Sequence, residues 1–75
     1  MRDGERLRDY RRKRGVTQDA LATELGFAHA SQVSRYETGG RRLTPRKLAE
    51  ALAAIERIVE RRGKTDPLSA LEVSR

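Results

Sequence analysis

Gly15, Gly26, Gly39 and Gly63 divide this chain into segments, and each follows a stretch whose residues have helical spacing. Glycine takes up the left-handed backbone conformation that commonly closes a helix, so its place just past such a stretch marks a helix end. No stretch alternates apolar and polar residues as a half-buried strand does. The chain is therefore expected to be all-α, a bundle of four to five helices with a long C-terminal helix. At 75 residues it makes one domain. A chain this short buries only about 60% of its unfolded surface, so its stability is marginal. It has no cysteine, which removes disulfides and thiolate metal sites. The single His29 cannot build a histidine cluster, and no metal or cofactor is expected. A compact helical core, dimerisation, or both must supply the stability.

The first helix is expected from Glu5 to Arg14, capped by Asp3, with Leu7 and Tyr10 on one face. The second is expected from Gln18 to Leu25. Thr17 suits its N-cap and Asp19 its first turn, and Leu21, Ala22 and Leu25 form its apolar stripe. A third, from Ser31 to Thr38, is two-faced. At a helical period, Ser31, Ser34, Arg35 and Thr38 share one side, Val33, Tyr36 and Glu37 share the other, and Gln32 sits at the boundary. Glu37 is the odd member, because a carboxylate on a core-facing side needs a partner. The fourth helix opens at Thr44-Pro45, an N-cap and N1 pair, and nothing is expected to break it before Gly63. Leu48, Leu52, Ile55 and Val59 form its stripe, widened by Ala51 and Ile58. After Gly63 a polar linker is expected, then a second cap pair at Asp66-Pro67, with Leu68 and Leu71 in a last short turn. Residues 1–62 thus form the domain and 63–75 a tail.

Lys and Arg total 17 against 11 acids, for a formal charge of +6, and 14 of the 17 are Arg. A guanidinium presents a planar fork that bonds two acceptors at once, which suits phosphate and guanine. A solvated surface explains part of this charge, but the excess favours a polyanionic partner. No apolar run of membrane-spanning length occurs, and the N-terminus lacks the apolar core of a secretory signal. Leu7 and Tyr10 are too few apolar anchors for a membrane surface. The expected location is cytoplasmic, at the nucleoid.

A capped helix, a glycine, a short turn and a second short helix together read as helix-turn-helix, whose second helix lies in the major groove. Ser bonds several bases, Gln bonds adenine twice, and Arg bonds guanine O6 and N7, so Ser31, Gln32, Ser34 and Arg35 are the candidate base-contacting residues. The segments GERLRDYRRKRGVTQDALATELGF and SQVSRYETGGRR resemble the lambda-repressor-like (Xre-type) DNA-binding family over about residues 4–52. That resemblance rests on Arg14-Gly15-Val16-Thr17-Gln18, Leu21-Ala22, Leu25-Gly26 and Val33 to Glu37 before Gly39. It implies that Gln18 bonds a backbone phosphate and braces the reading helix, and that Arg41, Arg42 and Arg46 hold phosphate. It implies that Ala30, Ser31, Gln32, Ser34 and Arg35 fall where family members present base-contacting side chains, and that Glu37 pairs with Arg11. The turn FAHA leaves His29, Ala30 or Ser31 as the first residue of the reading helix.

Ile55, Ile58 and Val59 exceed what so small a core needs, so a two-fold dimer interface is expected there; the alternative is that Leu68 and Leu71 fold back over them. The functional expectation is a transcriptional regulator, a repressor that binds a palindromic operator in double-stranded DNA as a homodimer. The rival is a small helical module that binds another protein, as an antitoxin binds its toxin or a regulator binds RNA polymerase. His29 beside two serines lacks the orienting group and oxyanion site that catalysis needs, so no enzyme is expected. Tyr10, Phe27 and Tyr36 sit at core spacing, which argues against a platform for single strands.

Overall fold

A computed structural model describes residues 2–71, with side chains described for residues 2–63. It holds four helices and, among the described residues, no strand: α1 (Asp3–Lys13), α2 (Gln18–Leu25), α3 (Ala30–Thr38) and α4 (Pro45–Leu71). Local chemistry sets most of the ends. Asp3 and Glu5 lie in the first turn of α1, and Arg11, Arg12 and Lys13 in the last, each sign matched to the helix dipole. Thr17 Oγ1 accepts the Ala20 N–H at 3.0 Å and caps α2. Gly26, at φ +80°, closes that helix while the Phe27 N–H reaches back to the Ala22 carbonyl at 2.8 Å. Thr44 Oγ1 accepts the Lys47 N–H at 3.1 Å, with Pro45 in the first turn where its missing N–H costs nothing.

Helix α1 ends at Lys13, not Arg14, and three other boundaries differ from the ranges expected. Helix α1 starts at Asp3, not Glu5, and Asp3 is not its cap: Arg2 holds the N-cap position, and its N–H donates to Glu5 Oε1 at 3.2 Å. Helix α3 starts at Ala30, one residue before the range drawn from its period and one of the three starts that the turn left open, with His29 at its N-cap. Helix α4 does not stop at Gly63. Only Gly15, Gly26 and Gly39 have positive φ among the described residues, whereas Gly63 keeps helical backbone and α4 runs on through Pro67 to Leu71. A glycine inside a helix costs about 1 kcal/mol relative to alanine, a penalty but not a stop signal. The linker and second cap expected there are therefore absent. The proposed folding back of Leu68 and Leu71 falls on side chains outside the described residues.

α3 and α4 each pack on both α1 and α2, and no Cα of α3 lies within 8 Å of α4 among the described residues. The helices thus form a ring in which α1 and α2 each touch both α3 and α4, while α1 and α2 do not approach one another within that distance among the described residues. The core is Leu7, Val16, Leu21, Ala22 and Val33 on the first three helices and their connections, closed by Leu48, Ala51, Ala54, Ile55 and Ile58 of α4. The spacing of those α4 residues is that of a single helical stripe. Ile55 is 0% and Ile58 5% exposed within one chain, so neither has surface left for a second copy. The dimer interface read from the sequence is corrected here for both residues; Val59 alone of the three is only partly buried. A stripe shows that a helix face is covered but does not identify its cover, which is α1 and α2. Polar ties along the same contact extend it. Glu56 accepts the Tyr10 hydroxyl and pairs with Arg14 at 3.0 Å, and Arg62 donates to the Gly15 carbonyl at 2.9 Å.

Candidate nucleic-acid interface

The two sides of α3 differ in kind. Val33 and Glu37 are buried, Ser31, Arg35 and Thr38 are exposed, and Ala30, Gln32, Ser34 and Tyr36 lie between. Burial of Glu37 is made tolerable by three donated hydrogen bonds. Arg11 Nε reaches its Oε2 at 2.6 Å, Arg11 Nη2 its Oε1 at 3.0 Å, and Gln18 Nε2 the same Oε1 at 3.0 Å. Arg11 also donates through Nη1 to the Val16 carbonyl at 2.9 Å. A bidentate guanidinium–carboxylate pair fixes direction as well as distance. It therefore sets how α3 rotates relative to α1, and Gln18 ties the start of α2 to the same carboxylate. Gln18 is thus engaged within the protein through one of its two amide hydrogens.

The approach of α1 to α3 is close enough to require glycine. A Cβ on Gly4 would sit 2.7 Å from the Glu37 carbonyl oxygen and nearer still to that of Tyr36. Only a residue without a side chain lets the two backbones meet there. At the other end of α3, Gly39 takes φ +91° and the Arg41 N–H closes the turn onto the Arg35 carbonyl at 3.1 Å. This places Arg41 and Arg42, both exposed, immediately after the polar face.

Not every candidate base-contacting residue is displayed alike. Arg35 and Ser31 project from the exposed side, while Ser34 lines a cleft of about 590 Å³ between α1, the start of α2 and α3. Gln32 is set back: its Oε1 is buried without a hydrogen-bond partner among the described residues. Of the candidate phosphate-holding residues, Arg46 is exposed and lies 3.8 Å from Glu50. The Arg41 guanidinium sits 5.7 Å from the centroid of the Tyr36 ring, which stacks on Phe27 at 6.0 Å, and Lys47 lies 5.9 Å from the Phe27 ring. These contacts keep cations close to α3. Between residues 20 and 49 the only acids are Glu24 and Glu37. Glu37 is buried and Glu24 is bound to Arg57 and Arg61 of α4, at 2.8 and 2.5 Å. The exposed face of α3 therefore carries no carboxylate.

Two residues that the sequence reading passed over also line the cleft, Arg8 and Arg12 of α1. Their four-residue spacing was visible, but helix α1 is charged at so many positions that no single pair stood out. Among the described residues, no group of three or more His, Asp or Glu is placed to hold a metal ion. No helix among them is long and apolar enough to cross a membrane.

A protein-family model described as a helix-turn-helix domain matches residues 4–65 of the chain. The chain belongs to the helix-turn-helix family. No curated protein and no solved structure gave a match. As a helix-turn-helix domain, its two helices are α2 and α3, joined through residues 26–29, and the family's role as a DNA-binding regulatory fold carries over at that general level. The second helix of such a pair is the one that enters the major groove, whose width of about 12 Å matches a helix with its side chains. In this helix-turn-helix that helix is the one whose outer side is short, polar and free of acids.

Proposed function

We propose that this protein is a sequence-specific regulator of transcription of the lambda-repressor-like (Xre) type, a repressor that binds a palindromic operator as a homodimer. One observation carries the reading. The exposed side of α3 is limited to Ser31, Arg35 and Thr38, with Ser34 at its edge, and its buried side is held in a single orientation by Glu37, Arg11 and Gln18. Short hydroxyl side chains let a helix backbone come near base edges, and one guanidinium supplies the bidentate contact to guanine. Arg35, Ser31 and Ser34 read bases in this proposal. Gln32 joins them only by turning outward from its present position. Arg41, Arg42 and Arg46 hold phosphates, and Gln18 adds one through the amide hydrogen that Glu37 does not use. The two-fold contact uses Val59 and the part of α4 beyond it, since Ile55 and Ile58 are enclosed.

Selection of binding sites from random duplex oligonucleotides tests this. The wild type is expected to enrich one sequence in two inverted copies. Arg35→Ala should weaken the selected site by about 1–3 kcal/mol and relax preference at one base position. No enrichment in the wild type, or an unaltered preference in Arg35→Ala, would overturn the proposal. Enrichment of single copies would remove the homodimer from it.

A further inference from the structure

The exposed arginines of this molecule fall into two groups. Arg6, Arg14, Arg46, Arg57 and Arg61 lie against carboxylates. Arg8 and Arg12 have no acidic partner among the described residues, although α1 contains three acids. Those acids are engaged elsewhere. Asp3 faces Arg6 at 3.6 Å, Asp9 faces Lys13 at 3.2 Å, and Glu5 accepts the Arg2 N–H. Across the cleft both oxygens of Glu37 are taken by Arg11 and Gln18. Asp19 is the one carboxylate at the rim with no bond to another side chain in the described structure.

Residues four apart stand one above the other on a helix, so Arg8 and Arg12 point the same way. They form one wall of the cleft of about 590 Å³, and the facing wall carries the hydroxyls of Thr17, Ser34 and Thr38. Arg8 also borders a second hollow with Arg2 and Gly39, at the C-terminal end of α3. The unpaired guanidiniums thus run along the α1 flank of the reading helix, and Arg41 and Arg42 lie just past its C-terminal end. Two guanidiniums facing the hydroxyls of Thr17 and Ser34, with Asp19 the one rim carboxylate that no side chain occupies, make a place for an anion with several oxygens.

We infer that Arg8 and Arg12 form a second site for the DNA backbone, gripping phosphates along the α1 side of the helix that enters the groove. The inference rests on the proposed function and adds a set of contacts from α1. It makes α1, and not only the helix-turn-helix pair, part of the nucleic-acid surface. The contact carries no sequence information, because phosphates are alike at every base pair.

Anisotropy titrations of a short random-sequence duplex, from about 50 to about 200 mM salt, test it. Neutralising one phosphate-binding residue should flatten the plot of log affinity against log salt by about 0.9. Arg8→Gln and Arg12→Gln are each expected to show that change, and Arg12→Lys should restore the wild-type slope. Lys13→Gln removes one charge from the same helix but outside the cleft, and should leave the slope as it is. Asp19→Asn should tighten binding. Both arginines are exposed, so circular dichroism should show all variants folded as the wild type is. Wild-type slopes in both glutamine variants, or an equal change in Lys13→Gln, would overturn the inference. If Arg42→Gln still flattens the slope in that case, the proposed function stands without it. A wild type that binds no duplex would overturn both.

Discussion

Glu37 on α3 and Glu24 on α2 have the same task in different surroundings. Each carboxylate gathers two donors from neighbouring helices: Arg11 and Gln18 in one case, Arg57 and Arg61 in the other. The Glu37 side chain is 1% exposed and its partner Arg11 10%, whereas Glu24 is 15% exposed and its arginines are 52% and 62%. Water can replace either arginine at Glu24 but none of the donors at Glu37. A surface pair adds little because solvent and salt screen it. A buried pair adds little when compared with a well-packed apolar replacement, yet removing one partner leaves a charge that nothing solvates. The two clusters therefore differ less in what they contribute than in what their loss does.

The largest effect should follow from breaking the buried cluster on one side only. Arg11→Ala is expected to cost about 3–5 kcal/mol in urea unfolding, a large share of the stability of a small domain. The double replacement Arg11→Met with Glu37→Leu should recover most of it, because it removes both charges and fills the space. If the double variant is as unstable as Arg11→Ala, lost packing and not the stranded carboxylate explains the cost. Next in size is Gly4→Ala, which leaves the ion pair in place but pushes α1 off the α3 backbone. A loss of about 1–3 kcal/mol is expected from overpacking, more than cancelling the gain in helix propensity. A stabilised variant would show that the two helices part easily.

The smallest effect belongs to Glu24→Gln, and its signature is its pH dependence. Hydrogen bonds and charge from Arg61 and Arg57 lower the Glu24 pKa from 4.5 to about 2. A carboxylate whose folded pKa lies below its unfolded value stabilises the fold fully above the unfolded value, and that stabilisation disappears as the pH falls through the folded one. Thermal melts of wild type and Glu24→Gln should differ slightly at neutral pH and converge as the pH falls from 4.5 toward 2. A gap that stays constant over that window would mean that the glutamate's charge is irrelevant there.

The same contrast governs what could be seen in the sequence. Glu37 was conspicuous because a helical period put it beside Val33 and Tyr36, where a lone carboxylate is costly. Glu24 drew no attention, because an acid near the end of a polar helix looks solvated and its partners lie 33 and 37 positions away. Helix ends marked by a capping hydroxyl or a left-handed glycine were legible, as at Thr17, Gly26 and Thr44. Gly4 was not, since its value lies in contact with the backbone of another helix. Gly63 misled because glycine permits a helix to end without obliging it to. Ile55 and Ile58 were visibly apolar, but only the packing of α4 on α1 and α2 shows what covers them. Within the candidate interface, the exposed side of α3 could be drawn from its period, while the part played by Arg8 and Arg12 appears only once α1 is laid beside it.

The assignment of carboxylates has a consequence for motion before contact. Glu50, Glu56 and Glu24 are each matched by a cation, while the exposed face of α3 has no carboxylate to offset Arg35 or the exposed Arg41 and Arg42 beside it, so positive potential goes unopposed there. Near a polyanion such a body experiences a torque as well as a pull, and turns α3 forward while still at a distance. Fewer collisions are then wasted on the wrong side, an advantage that added salt shortens to the reach of the Debye length.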